Sequence, residues 1–188
     1  MLDAEAVELY SRQIILPEVG ARGQTRLRQA AVLVCGDGAA ASGTALFLIR
    51  SGVGQVTRAT GDACQTSPIE SIAMPAAVTD LLALARRYDV TVLLPPFATT
   101  AFAAAVESVY IPVLLGAAAG SRMCIRAGGD LAVPAADQAQ AATVNTTAEV
   151  LAAELALAVL RLLLMPAARQ WRGADHHLLA GMFRASTH

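Results

Sequence analysis

Residues 31–43, AVLVCGDGAAASG, read as an apolar strand that stops at a glycine, turns through Gly-Asp-Gly and continues as a helix of small residues. No other stretch restricts the chain as severely. An apolar run of this length, bounded by glycine, fits a strand buried on both faces, and the turn must then deliver a helix packed against that strand. Gly36 permits the tight exit, Gly38 lets backbone approach a ligand, and Ala41 is small enough for the helix to lie close on the sheet. Backbone N–H groups at the start of such a helix can hold an anion. The same residues also suit a plain structural turn, and Asp37 between the glycines favours that alternative, because a carboxylate beside a phosphate is repulsive.

The remainder of the chain alternates strand and helix patterns without repeats or low-complexity linkers. Two short helices are expected around ILPEVG within residues 3–29, then a strand at 31–36, a helix at 40–51 and a strand at 54–60. The turn-rich stretch GDACQTSPIESIAMP leads to a helix at 76–87, a strand at 89–94, a helix at 98–108, and strands at 112–117 and 122–127. A long helix at 147–165 follows, with Thr146 and Glu149 spaced as a capping box and Pro166 as its stop. Repeated β-α-β units imply an α/β fold, a mainly parallel sheet with helices on both faces. Ligands bind such sheets at the carboxyl ends of the strands, which puts residues 36–38 at the mouth. The 188 residues suit a single domain, with a helical segment at 1–29 and the α/β core at 31–188. A chain of this size buries about 70% of its unfolded surface and needs no disulfide or metal to hold a core.

Charge and composition exclude several classes of function. Hydrophobic residues make up 55% of the chain, but the richest segment, VLAAELALAVLRLLLM, is interrupted by Glu154 and Arg161, so a buried or interface helix is expected rather than a membrane span. The first residues, MLDAEAVELY, are acidic and amphipathic, unlike a secretory leader, and a cytoplasmic location is expected. A net charge of −1 without basic runs gives no footprint for nucleic acid. Cys35, Cys64 and Cys124 form no CxxC pair, which argues against structural zinc and a disulfide framework. Cys35 reads as core, and Cys64 as a loop thiol with no base spaced to activate it. Asp175, His176 and His177 read as a solvated turn, and Trp171 as packing for the C-terminal segment, so no metal site is assigned. All 14 basic residues are arginine. Without lysine, no lysine can clamp a phosphate or act as a nucleophile.

Residues 9–57, LYSRQIILPEVGARGQTRLRQAAVLVCGDGAAASGTALFLIRSGVGQVT, resemble the opening of the ThiF, MoeB and HesA family, bacterial relatives of ubiquitin-activating E1 enzymes. YSRQI, LPEVG, GQ before a helix, the glycine turn and SGVGQVT occur in the family's order, and weaker similarity continues through YDVTVLL, IPVLLGAA and AEVLAAELALAVLRLLL. The resemblance implies a Rossmann-like domain. In active members it binds ATP and magnesium and adenylates the C-terminal glycine of a small ubiquitin-like carrier protein, usually as a dimer.

Departures from the family pattern fall on the residues that serve the nucleotide. Active members end the second strand with an aspartate for the ribose, where this chain has Thr60, with Asp62 two residues on. The family's SNLNRQ-like segment and its lysine are missing from GDACQTSPIESIAMP, and LLPPF places Pro96 or Phe97 where a magnesium-holding aspartate belongs. Arg58, Arg86 and Arg87 are the candidates to replace the lysine at a phosphate. Arg12 matches the family arginine that reaches the neighbouring subunit's ATP, and a surface arginine closing the first helix is its alternative role. The expectation is a degenerate E1-like subunit with no catalytic residues assigned, a vestigial nucleotide turn at Gly36, Gly38 and Ala41, and Arg12 acting on phosphate in trans. Its partner would be a second copy or an active ThiF/MoeB-like protein. The alternative is an active adenylyltransferase, with ATP and magnesium as cofactors and a ubiquitin-like or sulfur-carrier protein or peptide as substrate.

Overall fold

Apolar alternation along the first strand decides which helix goes where. In β1 (Ala31–Cys35), Val32 and Val34 point to one face of the sheet, while Leu33 and Cys35 point to the other. The computed structural model describes residues 2–61, 69–96, 113–119, 122–127 and 145–165. After β1 come α4 (Gly38–Arg50), β2 (Gln55–Thr60), β3 (Glu70–Ala73), α5 (Val78–Ala85), β4 (Val90–Leu93), β5 (Val113–Ala119), β6 (Arg122–Ala127) and α6 (Asn145–Leu164). Three helices precede it: α1 (Ala4–Leu9), α2 (Ser11–Ile14) and α3 (Gly20–Gln29).

The strands form one sheet in the order β3-β2-β1-β4-β5-β6. All neighbours are parallel except β5 and β6, which run antiparallel at the edge. Helices α4 and α6 cover the face of Val32 and Val34, with Ala41, Ala45, Leu48, Leu151, Leu155 and Val159 filling the space between. On the opposite face α5 packs Leu81 and Ala85 against Leu33, Cys35, Ala59 and Leu93. The Rossmann-like sheet with helices on both faces is therefore present. β3 replaces the expected irregular stretch: its four residues, ESIA, are mostly exposed and lack the apolar alternation that announces a strand. The expected helix at 98–108 lies outside the described residues, and the side chains of residues 145–147, where the capping box was expected, do so as well.

The first helices attach to the far end of the sheet. Asp3 caps α1 by accepting from the Ala6 N–H at 2.8 Å, and its other oxygen meets Arg28 of α3 at 3.3 Å. Both partners stabilise the carboxylate and hold its pKa below the usual value, the Ala6 bond most of all. The GQ pair of α3 has a packing role. A side chain on Gly23 would meet Leu164 of α6, and the buried Gln24 donates to the Ser51 carbonyl at the end of α4, 3.1 Å away.

The long helix α6 is covered along one side and open along another. Leu151, Ala152, Leu155, Ala156, Val159 and Leu162 are buried, whereas Val150 and Leu157 are exposed. The α4–α6 crossing is tight because Gly43 lacks a side chain: a Cβ there would lie 2.9 Å from the Cβ of Ala152. Overpacking of such a contact costs about 1–3 kcal/mol. Gly43→Val should lower the urea midpoint accordingly, and Ala152→Gly in the same chain should recover part of the loss. A single variant as stable as the parent would mean that the helices do not touch there.

Candidate functional site

Strand order places the mouth of the sheet between β1 and β4, where the chain's direction of progress across the sheet reverses. The Gly36–Gly38 turn lies there, held on both sides by main chain. Gly36 N–H donates to the Ala59 carbonyl of β2 at 3.0 Å, and Leu94 N–H donates to the Cys35 carbonyl at 2.8 Å. A Cβ on Gly36 would stand 2.6 Å from that of Leu94, so glycine is required by close approach. Gly38 is required by conformation instead. Its φ of +77° disfavours any residue with a side chain, although the space around it is open. Ala41 is fully buried against the sheet, as its small size implied.

The turn thus delivers the start of α4 to the mouth, and Asp37 is the residue just before it. Asp37 makes no capping bond to the helix. Its Oδ1 accepts instead from the Thr60 hydroxyl at 2.5 Å and from the Gly61 N–H at 2.9 Å, both at the carboxyl end of β2. Behind Thr60 stands Arg58, which is only 6% exposed and lies in the α4-side layer of the sheet. Its Nη1 donates to Ser42 Oγ at 2.8 Å and its Nη2 to Thr60 Oγ1 at 3.3 Å. The Thr60 hydroxyl therefore receives a bond from the guanidinium and passes one to the carboxylate. In a buried setting such chained bonds polarise one another.

Arg58 is thus a buried partner of the turn, while Arg86 and Arg87 follow the C-terminal end of α5, at the edge where β4 begins. That edge is opposite the mouth, so neither arginine joins the site. Arg12 does not join it either. It is exposed in α2, and the nearby Tyr10 packs against Gly52 at the far end of α4. Cys35 is buried, and burial alone pushes its thiol up to about 12, which suits a core residue and not a nucleophile. Asp62, Cys64, Phe97, Trp171, Asp175, His176 and His177 lie outside the described residues.

β4 runs out through Leu94 into Pro95 and Pro96, joined by a cis peptide bond, with no acid at its end. Among the described residues no group of three or more His, Cys, Asp or Glu could hold a metal ion. The polar groups described at the mouth are the Asp37 carboxylate and the Thr60 hydroxyl and Gly61 N–H that donate to it. Also among the described residues, no helix is long and apolar enough to cross a membrane.

The Arg58–Thr60–Asp37 relay was not apparent from sequence. Its only trace there is that four of the six residues of the strand, QVTRAT, are polar.

Residues 10–67 match the sequence model of the ThiF family. The bovine adenylyltransferase and sulfurtransferase MOCS3 is 36% identical over 104 residues, covering 52% of this chain and 23% of that protein. The probable adenylyltransferase/sulfurtransferase MoeZ of Mycobacterium tuberculosis is 46% identical over 55 residues, covering 29% and 14%. The chain thus spans less than a quarter of the length of either relative. Among solved structures, Escherichia coli TcdA, a tRNA N6-threonylcarbamoyladenosine dehydratase, superposes with a TM-score of 0.68 at 12% identity, covering 90% of this chain and 100% of that one. Escherichia coli MccB with ATP superposes with a TM-score of 0.62 at 17% identity, covering 83% and 64%. These likenesses establish the fold, and the matched segment carries the glycine turn at its mouth. The matched segment, residues 10–67, is similar to the ThiF family, and the sheet around it has the fold of these neighbours.

Proposed function

We propose that this chain is a degenerate E1-like subunit, one that keeps the nucleotide-binding architecture of the ThiF fold without a complete adenylation site. It works as a non-catalytic or regulatory subunit, paired with a second copy of itself or with an active adenylating ThiF-family protein. The observation that carries this reading is the chemistry of the mouth. β2 ends in Thr60, β4 ends in Pro95 and Pro96, and the sequence holds no lysine. A hydrogen bond to a charged group contributes about 1.5–3 kcal/mol. Losing three or four such groups removes about 5–10 kcal/mol of ground-state or transition-state stabilisation, at least thousands-fold in rate. Arg58 does not make up the difference, because its guanidinium is committed beneath the turn.

Pairing is supported by apolar surface on the first helices. Leu9 is 70% and Ile15 77% exposed, and Val7 and Leu16 also face solvent. Residues of this size seldom stand together on a monomer's surface. Arg12 lies in the same segment, exposed and away from its own chain's turn. A guanidinium suits contact with a partner's phosphate, since it stays charged and presents a planar fork to phosphate oxygens.

The second reading, an active adenylyltransferase acting on the C-terminus of a ubiquitin-like or sulfur-carrier protein or peptide, is favoured by the names of the relatives and by the intact glycine turn. ATP–pyrophosphate exchange separates the two. The purified chain alone should catalyse none above background with any small glycine-terminated carrier, and robust exchange would replace the first reading with the second. Once an active ThiF-family partner is in hand, Arg12→Ala should leave the complex assembled in light scattering but slow its adenylation about 10- to 1000-fold. An unchanged rate would remove Arg12 from the partner's site.

A further inference from the structure

Asp37 occupies the N-cap of α4 yet bonds to β2. An aspartate at that position ordinarily accepts from the first N–H groups of its helix. Here its side chain crosses to the next strand, where the Thr60 hydroxyl and the Gly61 N–H hold Oδ1. The result is a carboxylate at the carboxyl end of β2, although β2 itself ends in threonine. In sheets with this strand order an acid at the end of the second strand accepts from ribose hydroxyls. In this chain an acid stands there in space, supplied by the neighbouring turn.

Two further features suit it to that work. The carboxylate is held in place, because Arg58 fixes Thr60 from behind and is itself fixed by Ser42 of α4. It is also only half engaged. Oδ1 takes both hydrogen bonds, Oδ2 takes none among the described residues, and Asp37 remains partly open to solvent. An ionised carboxylate accepts at both oxygens, so one oriented acceptor is left over at the mouth. A vicinal diol, with two O–H donors and no charge to be repelled, matches it; a phosphate does not.

We propose that Asp37, positioned by Thr60 and Arg58, is the ribose-binding residue of this chain and accepts through Oδ2 from the diol of a nucleoside. This rests on the nucleotide-fold reading of the mouth but not on the absence of catalysis. The nucleoside titration and the exchange assay can therefore fail independently.

The test is calorimetric titration of the full chain with adenosine, guanosine, cytidine and uridine, each beside its 2′,3′-dideoxy counterpart. At least one ribonucleoside should bind about tenfold more tightly than its dideoxy form, because a site built around a hydroxyl discriminates against the analogue lacking it. Asp37→Ala and Asp37→Asn should bring that ratio to about one, since neither retains the charged acceptor. Thr60→Val keeps the carboxylate but removes a bond that orients it, and should narrow the ratio without abolishing it. Thermal melts of each variant separate loss of the site from loss of the fold. The proposal is overturned if none of the nucleosides shows the preference, or if a folded Asp37→Ala retains it. Tighter nucleoside binding by Asp37→Ala than by the parent also overturns it, since the carboxylate would then be excluding ligand from the mouth.

Discussion

The architecture depends on how closely the chain passes itself at Gly36. Backbone leaving β1 must slip between the ends of β2 and β4, and the β-carbon of Leu94 stands where a side chain on residue 36 would begin. With glycine there, three main-chain bonds close around the turn: Gly36 to Ala59, Leu94 to Cys35, and Asp37 to Pro95. They fix the height at which α4 starts. They also leave its first turn at the reversal point of the sheet, the place where folds of this order take their ligands. The packing behind the turn repeats the same economy of size, with Ala41 against the sheet and Gly43 against Ala152.

What this architecture presents to a ligand differs from what it was expected to present. The turn carries a negative charge of its own, and that charge is tied to β2 through a hydroxyl whose other neighbour is a buried arginine. Burying a guanidinium costs several kcal/mol unless its donors are used. Two of the Arg58 nitrogens are used, while Nε has no partner among the described residues. An arginine retained under that penalty organises the mouth from beneath and is unavailable to a phosphate above. Backbone geometry and side-chain chemistry are therefore separable at this mouth, the first held by glycines and alanines, the second by a short polar relay.

The elements legible in the sequence were those in which local pattern and tertiary role coincide. β1 could be read from its apolar run, the turn from its glycines, and α6 from its length and apolar content. β3 could not be, because its four mostly exposed residues take their strand geometry from pairing with β2 and not from any pattern of their own. In sequence Asp37 favours a plain structural turn, because a carboxylate beside a phosphate is repulsive. Its actual partners, Thr60 and Gly61, come close only when β1 and β2 lie side by side. Sequence alone makes Arg58 a candidate to replace the family lysine at a phosphate. Nothing in QVTRAT signals that α4 will cover it, and only the parallel register with Val34 places it in that layer. The site was thus legible as a location and illegible as a set of bonds.

The central claim is that this mouth recognises the organic part of a nucleotide and lacks the metal and cation chemistry that acts on its phosphates. Titrating ATP into the full chain with and without magnesium tests it most directly. Recognition through Asp37 and the glycine turn predicts that magnesium changes the ATP affinity by less than about threefold, a difference well under the 1.4 kcal/mol of a tenfold effect. ATP binding that strengthens about a hundredfold or more on adding magnesium would contradict it, and would mean that a working metal and phosphate site is assembled at this turn after all.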